Sequence, residues 1–386
     1  MTPGARVAAA IAVLDQIRDG AVAEQALTAW ARGSRFAGSR DRAAVRDHVF
    51  DVLRARRSLG DGSGRSLMHR LALREGWDLG ALFSGTGYDP APLTAAEHEA
   101  LKVPMELSDA ARCDLPDWLW QLWQHSLGDL AEAAALAQQG RADVFLRVNR
   151  RRGTVAQAAD ALAKDGIAVD LHPKVQGCLR VVNNPRRVKT SDAYLTGLIE
   201  LQDAASQMAV LDTPVPSGAR ILDYCAGGGG KSLAFADLHE ATVFAHDIAP
   251  QRLRDLPARA ARAGVKIDIL QTRELADQPK FDVVFCDAPC SGSGTWRRTP
   301  DAKWRLTADG LVALMQSQAE VLANAAPLVA AGGTLVYATC SVLTNENDDM
   351  VKTFVEQCPE WSSMLVLRRL PDADGDGFFA CGLTRN

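Results

Sequence analysis

Ile221-Leu222-Asp223-Tyr224-Cys225-Ala226-Gly227-Gly228-Gly229-Gly230-Lys231-Ser232 is the stretch on which the fold turns. A hydrophobic strand runs into four glycines and then into a helix. Glycine takes positive φ without strain and lets a ligand approach the main chain. The first turn of the following helix offers unpaired N–H groups. Its end, Gly230-Lys231-Ser232, looks like the close of a P-loop, but that motif needs a glycine five residues before Gly230, and Cys225 stands there. The pattern therefore disfavours a nucleoside triphosphatase. For this loop taken alone, a purely structural glycine turn is the bland alternative.

Outward from this loop, strands and helices alternate. Strands are expected at Arg220–Tyr224, Thr242–His246, Lys266–Leu270, Asp282–Cys286, Thr334–Ala338 and Leu365–Arg368 with Phe378–Cys381. Helices are expected between them, notably over Gln251–Ala263 and Ala308–Val329. Such alternation predicts a mostly parallel sheet with helices on both faces, a Rossmann-like α/β domain whose ligands sit at the C-terminal strand edge. Three further features fall on that edge. Asp247 ends the second strand, 24 residues after Asp223, where an acid suits ribose hydroxyls or, more plainly, caps the turn at Pro250. Asp287-Ala288-Pro289-Cys290-Ser291-Gly292-Ser293-Gly294-Thr295 follows the fourth strand, with Arg297, Arg298 and Lys303 close behind as candidate phosphate ligands. Thr339-Cys340-Ser341 ends the fifth. A single cysteine is usually a small buried hydrophobe. Two cysteines ending two strands that can neighbour each other point instead to a nucleophile site.

The first ~135 residues read as helical, with apolar faces at Val7, Ala10, Ile11, Leu14 and Ile17 and at Val45, Val49, Val52 and Leu53. Beside the second face lie Arg42, Arg46, Arg54, Arg56 and Arg57, which suit backbone phosphates. Trp118, Trp120 and Trp123, in a Leu-rich helical segment, read as core in preference to base-stacking platforms. Residues 139–200 form a small α/β module. It has strands at Val144–Val148, Ile167–Leu171 and Leu179–Val182, and a capping box at Thr154–Gln157 opens a helix that stops at Gly166. Its basic edge is Arg150–Arg152 with Arg186–Lys189.

The net charge of −4 hides a strong segregation. Residues 1–74 carry 13 Lys+Arg against 7 Asp+Glu, residues 75–140 carry 2 against 11, residues 141–190 carry 11 against 4, and residues 191–386 carry 17 against 25. Two basic blocks ahead of an acidic half suggest polyanion binding in the first half, against the alternative of solvated helix faces. The eight cysteines form no Cys-x-x-Cys pair, which speaks against a zinc ribbon or redox dithiol and for reduced thiols in a cytoplasmic protein. No apolar run of about 18 residues or secretory leader is present, so neither a membrane span nor export is expected.

Asp287–Thr295 together with Ala338-Thr339-Cys340-Ser341 resembles the paired cysteine motifs of the RNA cytosine-C5 methyltransferases, the Sun/RsmB/NSUN family. Cys225–Lys231 partly matches that family's Cys-Ala-Ala-Pro-Gly-Gly-Lys, with Gly227-Gly228 in place of Ala-Pro, so the loop is expected to be less rigid. Gln202–Gln207 resembles the family segment ahead of the loop, Leu146–Asn149 its lead into the small module, and the Arg-rich helices the NusB-like domain of the bacterial ribosomal RNA members.

The resemblance implies S-adenosylmethionine (SAM) as methyl donor, held by Cys225, Ala226, Gly227, Gly228, Gly229, Gly230, Lys231, Asp247, Arg252 and Asp287. It implies Cys340 as nucleophile, with Cys290 and Asp287 as its catalytic partners. The family's adenine-contacting Asp has no counterpart in Gln271-Thr272-Arg273-Glu274. The expectation is a monomer without metal in three parts: a NusB-like RNA-binding domain over 1–138, the module over 139–200 and a methyltransferase domain over 201–386. The expected reaction is 5-methylcytosine formation in ribosomal RNA. The rivals are the same reaction on transfer RNA, or a non-catalytic RNA-binding or ribosome-assembly protein.

Overall fold

The computed structural model describes residues 1–385. They divide into two compact units, one formed by Met1–Arg141 with Trp296–Leu306 and the other by Ala142–Thr295 with residues 307–385.

The first unit is helical. Helices Pro3–Arg18, Ala23–Gly33, Ser39–Arg54 and Gly64–Arg74 pack around Val7, Val13, Val45, Val49, Leu53, Met68 and Leu71. Both apolar faces read from the sequence are in this core. The stretch Trp296–Leu306 is built into the same unit. Trp296 stacks on Trp123 at 5.8 Å between ring centroids, and both rings are buried. Trp304 Nε1 donates to Leu53 O (2.7 Å), and Asp301 accepts from Ala23 N (3.2 Å).

The second unit holds two sheets. Strands β1 (Phe145–Val148), β2 (Val169–Leu171), β3 (Cys178–Val181) and β4 (Ile199–Leu201) form an antiparallel sheet in the order β2-β3-β1-β4. The helix Val155–Lys164 covers it, opened by the Thr154–Gln157 capping box and followed by Gly166 at φ 71°. The larger sheet is built from β5 (Arg220–Asp223), β6 (Thr242–Ala245), β7 (Ile267–Ile269), β8 (Phe281–Asp287), β9 (Val329–Thr339), β10 (Trp361–Arg369) and β11 (Phe378–Arg385). Its order is β10-β11-β9-β8-β5-β6-β7, parallel from β9 to β7 and antiparallel at β11 and β10. The buried runs Ile221–Asp223 and Val283–Cys286 have helices against both faces, as a central parallel strand requires.

Two helices differ from expectation. Gln251–Ala263 is a short 3-10 turn, Pro250–Leu253, followed by an α-helix from Leu256 to Ala263. Pro257 lacks the N–H that would continue the ladder, so the helix starts afresh around it. The helix from Ala308 ends at Ala325, and Val329 already belongs to β9. The short β4 and the helices Ala204–Leu211 and Asp348–Gln357 carried no sequence signal strong enough to be named.

The small sheet is joined to the larger one through buried charge. Arg147 on β1 pairs with Asp237 of the helix Gly230–Leu238, with side-chain exposures of 4% and 1%. Removing one partner strands a desolvated charge. Asp237→Ala is therefore expected to lower unfolding stability by about 3–5 kcal/mol. Asp170→Ala, which breaks the exposed pair with Arg180, should cost about 0–1 kcal/mol. Urea unfolding of the two variants side by side checks this; equal losses would refute the assignment of Arg147–Asp237 as the buried tie.

Candidate active site

The C-terminal edge of the large sheet opens into a cavity of about 740 Å3, within the range of small-molecule sites. Its floor is the loop after β5. Gly227 (φ 54°) and Gly229 (φ 76°) take left-handed conformations that only glycine adopts without strain. A Cβ at Gly227 or Gly230 would meet nothing within 4 Å, so the backbone there faces free space that a ligand can fill. Asp247, at the end of β6, is 3% exposed; it accepts from Gly227 N (2.8 Å) and Ala249 N (2.9 Å) while lining the cavity. Arg252 stands 3.4 Å from its carboxylate. This wall sets a carboxylate, glycine backbone facing free space and the exposed Ile248 side by side, a combination that fits an adenosine-bearing cofactor such as SAM.

The loop is tied more firmly than two glycines in place of Ala-Pro lead one to expect. The Arg259 guanidinium donates to Gly228 O, and Gln202 Nε2 donates to Gly230 O (3.3 Å). The residues in the register of the missing adenine contact are also engaged. Tyr224 O accepts from His246 Nδ1 (2.7 Å), which leaves Nε2 to accept from the Thr272 hydroxyl (2.9 Å).

Across the cavity, β8 and β9 pair in parallel with Asp287 opposite Ala338. The two chains leave the sheet together, and Cys290 Sγ lies 3.4 Å from Cys340 Sγ. The Cys340 sulfur and burial both push the Cys290 thiol well up. Burial likewise raises the Cys225 and Cys286 thiols. Asp287 accepts from Lys231 Nζ at 2.6 Å. Burial pushes Lys231 down, but the Asp287 carboxylate, with Asp223 and the Cys340 sulfur nearby, holds the ammonium above its ordinary value. A smaller cavity of about 210 Å3, which shares Cys225, Ala226 and Asp287 with the first, is lined by Lys231, Gln202, Asp203, Ser206 and Asp223.

The structure thus gathers Cys225–Gly228, Asp247, Arg252, Asp287, Cys290 and Cys340 around one cavity, with Gly230 and Lys231 on the adjoining one. Of the other cations expected to hold phosphate, Arg42, Arg46, Arg150–Arg152, Arg186, Arg187 and Lys189 are exposed, while several others are buried or already engaged. Arg297 (5% exposed) and Lys303 (3%) are buried in the helical unit, where burial lowers the Lys303 ammonium to about 8. Arg54 is buried too and donates to Arg297 O (2.7 Å) and Asp51 (2.8 Å). Arg57 pairs with Asp117 in the acidic segment. Arg151 and Arg152 donate to main-chain carbonyls at the ends of two helices, Ala236 O and Arg262 O. Residues that sequence reasoning passed over also line the cavity: Ser317, Glu320 and Asn324, on one face of the helix Ala308–Ala325 at i, i+3 and i+7. That spacing was the one available signal.

A glycine loop and an acid-ended strand on a sheet of this order define a Rossmann-like domain of the SAM-dependent methyltransferase class. The fold recurs in PH0851 (TM-score 0.74, 22% identity, 100% of this chain and 99% of that one). It recurs in NSun6 from Pyrococcus horikoshii, solved with SFG (TM-score 0.61, 18% identity, 70% of this chain and 98% of that one). Residues 209–381 match the family described as 16S rRNA methyltransferase RsmB/F, and residues 115–189 match the ferredoxin-like domain of RsmF/B-like methyltransferases. Ribosomal RNA small subunit methyltransferase B of Salmonella paratyphi A (strain ATCC 9150 / SARB42) is 33% identical over 305 residues, covering 75% of this chain and 70% of its own. The chain belongs to the RsmB/F methyltransferase family.

Asp223, under the glycine loop, is buried with its carboxyl raised to about 6 by burial, opposed by the Ser232 hydroxyl and Lys231. A carboxyl raised in the folded state binds its proton more tightly there than in the unfolded chain. Stability is therefore lost as pH rises from about 4 to about 6, by about 3 kcal/mol as an order of magnitude. Asp223→Asn, which still accepts from Ser232, should flatten that part of the stability–pH curve. An unchanged slope between pH 4 and 6 would contradict the raised carboxyl.

Proposed function

We propose that the protein forms 5-methylcytosine in small-subunit ribosomal RNA through a covalent adduct between Cys340 and C6 of the target base. The observation that carries this reading is the pair of sulfurs 3.4 Å apart, at the mouth of a cofactor-sized cavity beside Asp287.

Cytosine C5 is too weak a nucleophile to take a methyl group unaided. Bonding of the Cys340 sulfur to C6 displaces the C5=C6 pair and makes C5 enamine-like. Charge gathers toward N3, which takes up the proton lost by the Cys340 thiol, and Asp287, itself held by Lys231, accepts from the N3–H so formed. SAM, held by Cys225–Lys231, Asp247 and Arg252, supplies an electrophilic methyl group. After methyl transfer the C5 proton passes by way of the Cys290 sulfur to solvent as C5=C6 re-forms, and the C6–S bond breaks, returning its electron pair to Cys340, which takes back the proton from N3. Sharing a scaffold with relatives named as small-subunit ribosomal RNA methyltransferases supports the choice of RNA.

Cys340→Ala should abolish methylation and form no protein–RNA adduct. Cys290→Ala should still attack and methylate, then stall, accumulating an adduct that survives denaturing gels and depends on SAM. The reverse pattern would exchange the two roles, and full activity in both variants would end the covalent reading.

RNA affinity is assigned to the helical unit's open groove of about 490 Å3, lined by Arg32, Arg35, Arg42 and Arg46. Buried Arg54 is not part of it. Replacing Arg32, Arg35 and Arg46 by Ala should weaken RNA binding and reduce its salt slope by up to about three units, with SAM affinity unchanged. A salt slope equal to wild type would place the phosphates elsewhere.

A further inference from the structure

Behind the two cysteines lies a buried carboxylate that the mechanism above does not use. Glu346 is 0% exposed and ends the turn Thr344–Glu346 that follows Cys340. Each of its oxygens accepts two hydrogen bonds. Oε1 takes Ser291 N (2.8 Å) and Gln318 Nε2 (3.0 Å); Oε2 takes the hydroxyls of Ser291 and Ser341, both at 2.5 Å. All four donors are neutral. Ser291 is the residue after Cys290, and Ser341 the residue after Cys340. Gln318 also donates to Pro289 O (3.0 Å), the residue before Cys290. The same two loops are bridged again by Ser293 Oγ to Ser341 Oγ (2.8 Å) and by Gly294 N to Cys340 O (2.9 Å).

A charged group in a dry interior is costly, and apolar packing would stabilise the same volume more cheaply. Hydrogen bonds to a carboxylate are short, directional and roughly twice as strong as neutral ones. What such a group adds is fixed geometry. Here the geometry it fixes is the position of the peptide following each sulfur. The bonds within the strands end at Asp287 and Thr339, so the separation of the two sulfurs depends on what holds the loops beyond them.

We propose that Glu346 is a positioning residue, which clamps Ser291 and Ser341 and thereby holds Cys290 and Cys340 at their working separation. For its effect on turnover the inference rests on the reaction proposed above. Its effect on the sulfurs does not.

The test uses the full-length protein in a glutathione redox buffer. One glutathione disulfide oxidises the two thiols, giving the Cys290–Cys340 disulfide and two glutathione thiols, and the equilibrium constant reads how well the sulfurs are held together. Alkylation followed by mass spectrometry counts the bridged form. E346A is expected to lower that constant about tenfold. It should lower kcat by about 10- to 100-fold, with the KM for RNA and the SAM affinity within about twofold of wild type. E346Q keeps the shape and one accepting oxygen and should fall between. If E346A does not fold, S291A and S341A each remove one arm of the clamp; the pair together should move both readouts the same way. Wild-type redox equilibrium in E346A, or in S291A/S341A where E346A is lost, would overturn the proposal. A wild-type protein that makes no 5-methylcytosine would sink the proposed reaction and leave the redox comparison standing.

Discussion

The parallel pairing of β8 with β9 is the constraint on which the rest of this site depends. With Asp287 set opposite Ala338, two chains that are 50 residues apart at their cysteines emerge from the sheet side by side. A slip of one residue would turn every side chain of one strand to the other face and part the two sulfurs. The register is held by the core on either side of the strands, where Val283, Val284, Phe285, Leu335, Val336 and Tyr337 are all fully buried. The chemistry at the edge therefore draws its precision from the least polar part of the molecule. Tyr337 belongs to both, since its ring lies in the core and its hydroxyl donates to Glu346 O (2.6 Å).

How much of this was legible in the sequence follows from the range of the interactions concerned. The glycine loop, the strand-ending Asp247 and the two cysteine segments are local patterns, and each sits where its pattern placed it. The capping box at Thr154 and the glycine at 166 marked both ends of their helix for the same reason. Gln318 and Glu346 were not legible. A glutamine in a long helix and a glutamate in a Thr-Asn-Glu-Asn turn read as solvent-facing, and only tertiary contact shows both to be buried. The arginine-rich segment failed in the opposite sense. A charge count does not report burial, so Arg54 was counted toward an RNA surface although its head lies inside the helical unit.

The glycine loop shows how rigidity can be moved from one part of a chain to another. The family pattern has Ala-Pro where this chain has Gly227-Gly228, and a proline ring restricts its own φ and the residue before it. Here the restraint comes from hydrogen bonds. Gly227 N is held by Asp247, and Gly228 O by Arg259. Arg259 is itself anchored, because Glu200 on β4 pairs with it at 3.3 Å and with Arg262 at 2.8 Å. Gln202, just beyond β4, accepts from Arg147 of β1 (2.8 Å) and donates to Gly230 O. The small antiparallel sheet is thus part of what supports the loop, through two polar chains that start on β1 and β4. A covalent ring holds its shape whatever surrounds it. A network of this kind holds only while every member is desolvated and paired, which ties the shape of the loop to the packing of a sheet that carries none of the cavity-lining cysteines or acids.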